Sequence, residues 1–505
     1  TSDAGIGRRI EQAEKIEDTP TLTVNKSLAG VYHNVESINL LESGREWYGE
    51  KFESGTLERN FQLPIENVAT DEDALLNIEA IATSSSATTY TVSFNGNVLS
   101  NNIKISAVGS SHQVANSGSI SRNVSCSNFD YQTVTLKYNP AASSNVGYLN
   151  YITLSAYKHL NFNGSSMEIF YPNDIEFDAV AGYEISGATS STKIWNITDQ
   201  SNITEIPTEY NGTLSFTALH NDLQTFLALN TQASFPAPTI VGAVANQNLH
   251  GLAQCDMIIV TPSEYMAAAE RLAEHHRTHD GMVVHIATPE QIYNEFSSGT
   301  PDATAYRRFL KVFYDRAASD GSKLPSSLLF FGVASHDNRG YKHAKLPLIS
   351  YQSEESLLST RSYVTDDYYG LLDDNEGGSL ASDKMDISVG RLPISSNTEA
   401  ENGVNKIIKY AQNSLTGTWK NIFAFMADDE DSNIHMSQAD KLSKSLYSLN
   451  KAYQAHKVYF DAYPLVQSTS GGTYPVARET ILKDIKNGVL VFTYVGHGGP
   501  YTLSQ

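Results

Sequence analysis

A histidine between glycines follows an apolar stretch near the end of the sequence. Residues 489–495 read VLVFTYV and lead directly into Gly496, His497, Gly498 and Gly499. A histidine near its ordinary pKa is the usual general base for activating a thiol or a hydroxyl. Flanking glycines permit a sharp turn and a close approach of a substrate backbone. The pattern is equally compatible with a glycine-rich turn that merely contains a histidine, so both interpretations stay open.

A second apolar stretch, residues 420–427, ends in a run of carboxylates formed by Asp428, Asp429, Glu430 and Asp431. One of these groups could orient an imidazole and stabilise its protonated form, as the acid of a catalytic triad does. The same oxygens could hold calcium. The remaining interpretation is a solvated acidic loop without a chemical role.

A third region consists of the segments 335–341, 365–378 and 386–393, of which the last contains a predicted strand, and its ionisable residues are predicted to lie on loops around a sheet. We consider structural loop polarity, calcium binding or a place in a substrate cleft for their ionisable residues. These are His336, Asp337, Asp366, Asp367, Asp373 and Asp374.

The sequence shows no convincing nucleophile. Its two cysteines, Cys126 and Cys255, are far apart and form neither a metal-binding spacing nor a disulfide framework. Cys255 opens a predicted strand, which is the wrong end for catalysis, so we expect a buried structural role for it. The same expectation applies to Cys126, and Ser504 is too close to the last residue to be judged.

The pattern of apolar residues changes near residue 250. Before it, short runs such as 88–96 and 132–140 alternate with period two, which predicts antiparallel strands joined by turns. After it, apolar strands alternate with amphipathic helices, which predicts a mostly parallel sheet covered on both faces. The predicted units are 1–45, an N-terminal segment; 46–160, a β-sandwich; 161–250, a small β domain and linker; 251–395 and 396–505, two α/β subdomains.

Two helix starts are predicted from capping residues in the α/β region. Ser263 is placed to cap a helix that stops at Gly281, and Thr288 with Pro289 opens the next helix with a cap and a first-turn proline.

Composition narrows the class of partner. Acidic residues outnumber basic ones 56 to 35, which gives a formal charge of −21. Nucleic acid and anionic lipid both require clustered Lys and Arg, so neither is expected as the main partner. No apolar run reaches the length of a membrane-spanning helix, and the first residues lack an apolar signal core, so we expect any export signal to lie upstream or to have been removed.

Six segments in the second half resemble the gingipain-like cysteine peptidases of family C25, which have a caspase-like fold. They are CDMIIVTPSEY, LLFFGVASHDNRGY, TDDYYGLLDD, DISVGRLP, FAFMADDED and FTYVGHGG, in that order over residues 253–505. The β-rich segments GYLNYITLSAYKHL and KIWNITDQSNITEIP are similar to the region that precedes the peptidase domain in the branch of the family serving type IX secretion.

The resemblance implies roles for particular residues. His497 matches the catalytic histidine, and Asp428 matches the acidic residue that orients it, or Asp429 if the alignment slips by one. Gly498 and the residue after it become oxyanion donors. Asn433 falls where arginine-specific relatives carry the aspartate of their substrate pocket, so a strong arginine preference is not implied. The nucleophilic cysteine would follow the next strand, beyond residue 505.

The resemblance also implies a setting at the bacterial cell surface. The substrates would be secreted proteins with C-terminal sorting domains, the acceptor a lipopolysaccharide amine, and a partner an outer-membrane barrel protein. No cofactor is required, although a structural calcium ion is compatible with the family. Two rival functions are a non-catalytic surface scaffold with a peptidase fold, and a metal-dependent hydrolase that uses His497 with the carboxylates 428–431.

Overall fold

A computed structural model describes residues 9–100, 102–170, 175–342, 346–378, 382–468, 471–498 and 502–504. The chain divides into two compact units, Thr1–Val404 and Asn405–Gln505. Within the described residues, no helix combines the length and the apolar character needed to cross a membrane.

The described residues up to 230 form mostly antiparallel β-structure, as their period-two alternation predicts, while the short strands Glu11–Gln12 and Leu22–Val24 each pair with a later strand in parallel. In Thr88–Phe94, for example, every second side chain is buried. The strands β1 to β19 are Glu11–Gln12, Leu22–Val24, Lys26–His33, Lys51–Phe52, Glu58–Pro64, Asp73–Thr83, Thr88–Phe94, Asn97–Val98, Ile103–Ile105, Asn116–Ser125, Tyr131–Asn139, Val146–His159, Ser166–Phe170, Ala179–Ile185, Thr192–Asn196, Thr204–Ile206, Glu209–Tyr210, Leu214–His220 and Thr225–Asn230.

One long sheet connects these strands in the order β1-β16-β15-β19-β13-β3-β12-β6-β10, with β4 paired to β12. A five-stranded sheet has the order β5-β11-β7-β8, with β9 paired to β7. It shares an apolar core with strands β6 and β12 of the long sheet, in which Leu76, Val92, Leu136 and Leu154 are fully buried. The sheet β17-β18-β14-β2 shares a second apolar core with strands β13, β15 and β19 of the long sheet. This core surrounds the buried ring of Tyr183. Apolar side chains from facing sheets thus form two sandwich-like cores.

The second half of the first unit is an α/β layer. Its strands β20 to β25 are Met257–Val260, Val284–Ala287, Ser327–Phe331, Tyr351–Gln352, Val364–Thr365 and Ser388–Leu392, and its helices α1 to α4 are Met266–His279, Pro289–Phe296, Ala303–Asp320 and Asn397–Ala411. A parallel sheet has the order β21-β20-β22-β25, while β23 and β24 form an antiparallel pair.

The second unit contains strands β26 to β30, Ile422–Ala427, Gln454–Tyr459, Val466–Ser468, Gly471–Thr473 and Val491–Val495, and helices α5 and α6, Ile434–Leu449 and Pro475–Asn487. Its sheet is parallel, with the order β27-β26-β30. A small core forms around Met426, Val458, Phe460 and Ala477. The fold class is therefore confirmed: antiparallel β units precede an α/β region with parallel sheets.

The two predicted helix starts have different outcomes. Thr288 forms a capping box with Gln291, and Pro289 occupies the first turn of α2, as expected. The cap at Ser263 is wrong. Ser263 begins a 3₁₀ turn, Ser263–Tyr265, and α1 starts only at Met266, so the serine is too early to reach the first free N–H groups of the α-helix.

The domain boundaries at 45, 160, 250 and 395 stay predictions. The strands β1, β2 and β3, all within residues 11–33, pair with β16, β14 and β12 of the later β structure.

The strand order of the second unit creates a crevice at β26. The chain passes from β26 to β27 on one side and returns to β30 on the other, so the parallel strands β26 and β30 end side by side at the same carboxyl edge. In open α/β sheets, such a reversal of strand order is where ligands bind. Asp428 follows β26, and His497 follows β30 after a single glycine.

Candidate active site

The side chain of Asp428 holds His497 at this carboxyl edge. Its Oδ2 lies 2.9 Å from Nδ1 of the imidazole and accepts a 2.7 Å hydrogen bond from the His497 backbone N–H. Asp428 is 3% exposed, whereas the His497 side chain is 54% exposed. A buried carboxylate therefore fixes an imidazole that remains open to solvent, the arrangement that a general base requires.

Gly496 is required for this contact. A Cβ atom on Gly496 would lie 2.4 Å from the Tyr494 hydroxyl, 2.5 Å from Cγ of Asp428 and 2.6 Å from its Oδ1. Among the described residues, which exclude 499–501, Gly498 on the other side of the histidine has only the Thr502 carbonyl oxygen nearby, at 3.8 Å. The first glycine thus lets the strand end pack against the carboxylate, and the second leaves open space beside the imidazole.

Tyr494 and Ser504 brace the turn that carries the histidine. The Tyr494 hydroxyl contacts the His497 carbonyl oxygen and lies 3.3 Å from Oδ2 of Asp428. The Ser504 backbone N–H donates to the His497 carbonyl oxygen at 2.9 Å, and Gly498 forms an isolated bridge with Leu503. The turn is therefore closed on itself by backbone and hydroxyl contacts.

Asp428 raises the affinity of His497 for a proton. The hydrogen bond that the imidazole donates to the Asp428 carboxylate is the largest cause that raises the pKa of His497 above the ordinary 6.5. Partial desolvation opposes this shift, and the negative charges of Asp428, Asp431 and Glu430 reinforce it. A protonated imidazole at this position is therefore stabilised.

The loop between β26 and α5 has an unusual backbone. Glu430, Asp431, Ser432 and Asn433 all have positive φ, between 45° and 72°. Residues other than glycine adopt this region rarely, and such strain tends to persist where surrounding structure enforces it, often at functional sites. Asp429, the alternative partner considered for His497, instead accepts a hydrogen bond from the Tyr474 hydroxyl.

A second histidine, His435, lies beside the first and was missed from the sequence. Its ring centroid is 4.9 Å from that of His497, in an edge-to-face arrangement. Oδ2 of Asp431 lies 3.2 Å from Nε2 of His435 and 2.9 Å from Nε2 of His497. The spacing of Asp431 and His435, four residues apart at the start of a helix, was the available signal.

Asn433 and Gly498 both lie near His497, but no described contact assigns Asn433 to a substrate pocket or Gly498 to an oxyanion site. Asn433 is exposed, occupies the N-cap position of α5 with φ of 62°, and makes no side-chain cap hydrogen bond. Gly498 is exposed next to His497, while the residue that follows it lies outside the described part of the chain. Their roles in the substrate pocket and the oxyanion site stay predictions.

The ionisable residues predicted around the first α/β sheet mostly serve the fold. Asp366 forms two 2.7 Å hydrogen bonds with the guanidinium of Arg391. Buried Asp337 accepts from the backbone N–H groups of Tyr341 and Lys342 at 2.9 and 2.7 Å. Protein donors therefore use the carboxylate oxygens that a calcium ion would need.

The other members of this set follow the same pattern or have no assigned chemistry. Asp373 accepts from the Tyr314 hydroxyl, and Asp374 lies 3.0 Å from the ammonium group of Lys311. His336 stacks on Trp47, and Asp367 begins a 3₁₀ turn. Calcium binding by this region stays a prediction.

Both cysteines of the chain are buried and free. Burial raises the pKa of the Cys255 thiol to about 12 and also raises the pKa of Cys126. A thiol reacts as the thiolate, so neither residue has the properties of a nucleophile.

Comparison with known proteins assigns the class. The model of Peptidase family C25 matches residues 250–505, about half of the chain and the whole α/β region. The chain therefore belongs to Peptidase family C25, a family of cysteine peptidases, and the resemblance seen in the sequence is confirmed.

A solved structure narrows the comparison to one kind of family member. The crystal structure of dimeric latent PorU from Porphyromonas gingivalis matches with a TM-score of 0.70 and 28% identity, covering 80% of this chain and 39% of PorU. The chain thus spans well under half the length of PorU. The complex of the RgpB pro- and mature domains from the same organism gives 16% identity, 48% coverage of each chain and a TM-score of only 0.33, so nothing rests on it. No curated protein matches the sequence.

Proposed function

We propose that this chain carries the histidine half of a gingipain-like cysteine peptidase, with His497 as general base and Asp428 as the group that orients it. The observation that carries this proposal is the pair of hydrogen bonds from His497 to buried Oδ2 of Asp428. Membership of family C25 supports a thiol as the nucleophile, and the sulfur is proposed to come from a segment that follows residue 505.

The orientation of His497 supports one proton path for this proposal. Nδ1 of His497 faces Asp428, so Nε2 is the atom that takes the thiol proton. The thiolate then attacks the peptide carbonyl carbon, and the imidazolium returns the proton to the departing amine, leaving an acyl-enzyme. Asp428 stays ionised throughout and stabilises the imidazolium. Backbone N–H groups, including that of Gly498, are proposed to stabilise the oxyanion.

Asp431 must give way before this reaction can begin. In the present arrangement its Oδ2 lies 2.9 Å from Nε2 of His497, the position that the thiol requires. Asp431 is 54% exposed on a loop with strained backbone, so its withdrawal breaks only solvent-accessible contacts.

The proposed substrates are secreted proteins that carry C-terminal sorting domains, which the enzyme removes at the surface of a Gram-negative bacterium. The acyl-enzyme would be resolved by water or by a lipopolysaccharide amine, and an outer-membrane barrel protein of the PorV kind would be the partner. The likeness to PorU supports this setting. Asn433 is proposed to line the substrate pocket, and a structural calcium ion is proposed as compatible with the fold.

Labelling of the complete protein with a thiol-reactive probe tests the peptidase proposal. The background should carry Cys126→Ser and Cys255→Ser, so that neither of these two thiols contributes to the labelling, and mass spectrometry should identify the labelled cysteine. We expect rapid labelling that falls strongly in His497→Ala, because the imidazole no longer takes the thiol proton. His456→Ala is a matched control, since His456 also pairs with an aspartate, Asp484 at 3.0 Å, in the same unit.

The same assay separates the rival functions. A scaffold protein would label equally with and without His497. A metal-dependent hydrolase would lose its hydrolytic activity to a chelator and keep it after thiol alkylation. Either result would overturn the peptidase proposal.

A further inference from the structure

We propose that His435, His497 and Asp431 form a binding site for a divalent transition-metal ion of the zinc type, with Asp428 holding His497 in place from the other side of its ring. The effect of this ion on catalysis rests on the proposed function, because the ion would occupy the general base. The binding itself does not rest on it, since it depends only on the four side chains.

The donor atoms are close enough to share one ion. One donor atom each from Asp428, His435 and His497 lie within 4.8 Å of one another. Zinc bonds to nitrogen and oxygen of about 2.0–2.1 Å imply separations of about 3.3 Å between tetrahedral ligands. The separations from Asp431 Oδ2 to the two Nε2 atoms are 2.9 and 3.2 Å, and Asp428 Oδ1 lies 3.7 Å from His435 Nε2. The two separations from Asp431 are slightly shorter than the separation between tetrahedral zinc ligands, and the separation from Asp428 is longer.

The two imidazoles already point at one place. Nε2 of His435 and Nε2 of His497 both contact the same oxygen of Asp431, so the two nitrogens lie near one another and, once the rings are neutral, can both bind an ion placed beside this oxygen. Nδ1 of His497 is held by Oδ2 of Asp428, which leaves Nε2 for a metal. Metal-bound histidines commonly have a carboxylate behind them in this way.

An unsatisfied oxygen also faces the site. Oδ1 of Asp428 is buried and, within the described part of the chain, has no hydrogen-bond partner. A buried carboxylate oxygen without a partner is unfavourable, and a cation beside it would remove that cost. His435 Nε2, at 3.7 Å, is too far to serve by a hydrogen bond.

The donor set selects the class of ion. Two imidazole nitrogens with carboxylate oxygens suit zinc, cobalt or nickel, whereas calcium and magnesium prefer oxygen ligands alone. Bound to Nε2 of His497, such an ion takes the lone pair that the thiol proton requires. The site would therefore hold the peptidase inactive until the ion is removed.

A second histidine cluster provides a built-in comparison. His275, His279 and Asp280 also place three donor groups within 4.8 Å, on and just after α1. Both oxygens of Asp280 already contact imidazoles, Oδ1 at 2.6 Å from His279 and Oδ2 at 2.7 Å from His276. Metal titrations must therefore separate the two clusters by substitution.

Titration of the 505-residue chain with Co²⁺, followed by its visible d–d absorption and by displacement with Zn²⁺, tests the site. We expect the wild-type chain to show the absorption band of tetrahedral Co²⁺. The affinity for Co²⁺, measured from this band, should fall at least tenfold in His435→Gln and in Asp431→Asn. Asp431 is exposed, so its substitution tests binding even if His435→Gln disturbs folding. The controls His456→Gln and His279→Gln should leave the band unchanged.

Several outcomes would overturn the site. These are no cobalt band in the wild-type chain, an equal band in both site variants, or loss of the band in His279→Gln. A separate measurement then tests the consequence: Zn²⁺ should block thiol labelling of the complete protein, and a chelator should restore it. Cobalt binding without any thiol reactivity would refute the peptidase proposal and leave the metal site standing.

Discussion

The two glycines beside His497 give the sharpest test of the site geometry. Gly496→Ala and Gly498→Ala add the same methyl group on either side of one histidine, so helix or strand propensity cannot account for a difference between them. Neither glycine is among the residues with positive φ, so alanine can adopt both backbone conformations. The two substitutions differ only in what the new Cβ meets.

The cost at Gly496 follows from the distances. The new Cβ would lie 2.4 Å from the Tyr494 hydroxyl, so these atoms must separate by at least about 0.6 Å to reach the 3.0 Å limit for such contacts. Overpacking of a closed site costs about 1–3 kcal/mol. Displacing Asp428 also weakens its hydrogen bonds to His497, and bonds to a charged group are worth about 1.5–3 kcal/mol. We therefore expect Gly496→Ala to destabilise the fold by about 3 kcal/mol in total and Gly498→Ala to leave the stability nearly unchanged.

Two measurements check this expectation. Native-state hydrogen exchange of the amides in β26 and β30 should be faster by about a hundredfold in Gly496→Ala, since each 1.4 kcal/mol is a factor of ten. An NMR titration of His497 should show that its pKa falls back toward the ordinary value, because the Asp428 hydrogen bond is the main cause of the raised pKa. Gly498→Ala should match the wild type in both.

The refuting result is equally specific. If Gly496→Ala keeps wild-type exchange and a raised His497 pKa, then the close contact among Gly496, Tyr494 and Asp428 does not exist. The account of how the imidazole is oriented would then be wrong, whatever the activity of the protein.

Four further results are expected. Because the pKa of His497 is raised in the folded state, its pairing with Asp428 stabilises the fold below about pH 6.5, and this contribution is lost as pH rises through the raised pKa. In urea unfolding, His497→Gln should therefore lose more stability relative to the wild type at acid than at alkaline pH. A loss of stability that does not depend on pH would contradict this. Cys255, with its pKa raised to about 12, should resist alkylation at neutral pH until the chain is unfolded, as mass spectrometry can establish. Arg391→Lys should destabilise the chain by about 2 kcal/mol in urea, since lysine cannot make the paired hydrogen bonds of the guanidinium, and an unchanged midpoint would refute that role. Asn433→Asp in the complete protein should increase the preference for arginine substrates in peptide cleavage, and an unaltered preference would remove Asn433 from the pocket.

Local patterns account for the parts of the molecule that were predicted. The apolar runs before Asp428 and before Gly496 are strands, as predicted. Functional groups gather at the carboxyl edge of a parallel sheet, so the sequence was enough to predict that Asp428 and His497 lie together. The capping box at Thr288 was equally readable, because all of its atoms lie within four residues.

What was missed depends on contacts that no local pattern carries. His435 reaches His497 after a loop in which residues 430–433 all have positive φ, which non-glycine residues rarely adopt. The hairpin β28–β29 passed unnoticed because its strands have three residues each. The cap at Ser263 was wrong because sequence alone cannot separate a 3₁₀ turn from the first turn of a helix.

The strand β3 occupies the middle of the long sheet, between β12 and β13. Its Ser27 hydroxyl bonds the carbonyl oxygen of Phe170, 143 residues away, and β1 pairs with residues 204–205. During synthesis, Ser27 must therefore wait for a partner 143 residues further along the chain, and β1 waits for residues 204–205. Such distant closure is slow, and strands that wait unpaired are open to wrong partners. Because Lys26–His33 pairs with β12 on one side and β13 on the other, this single segment connects the two halves of the sheet.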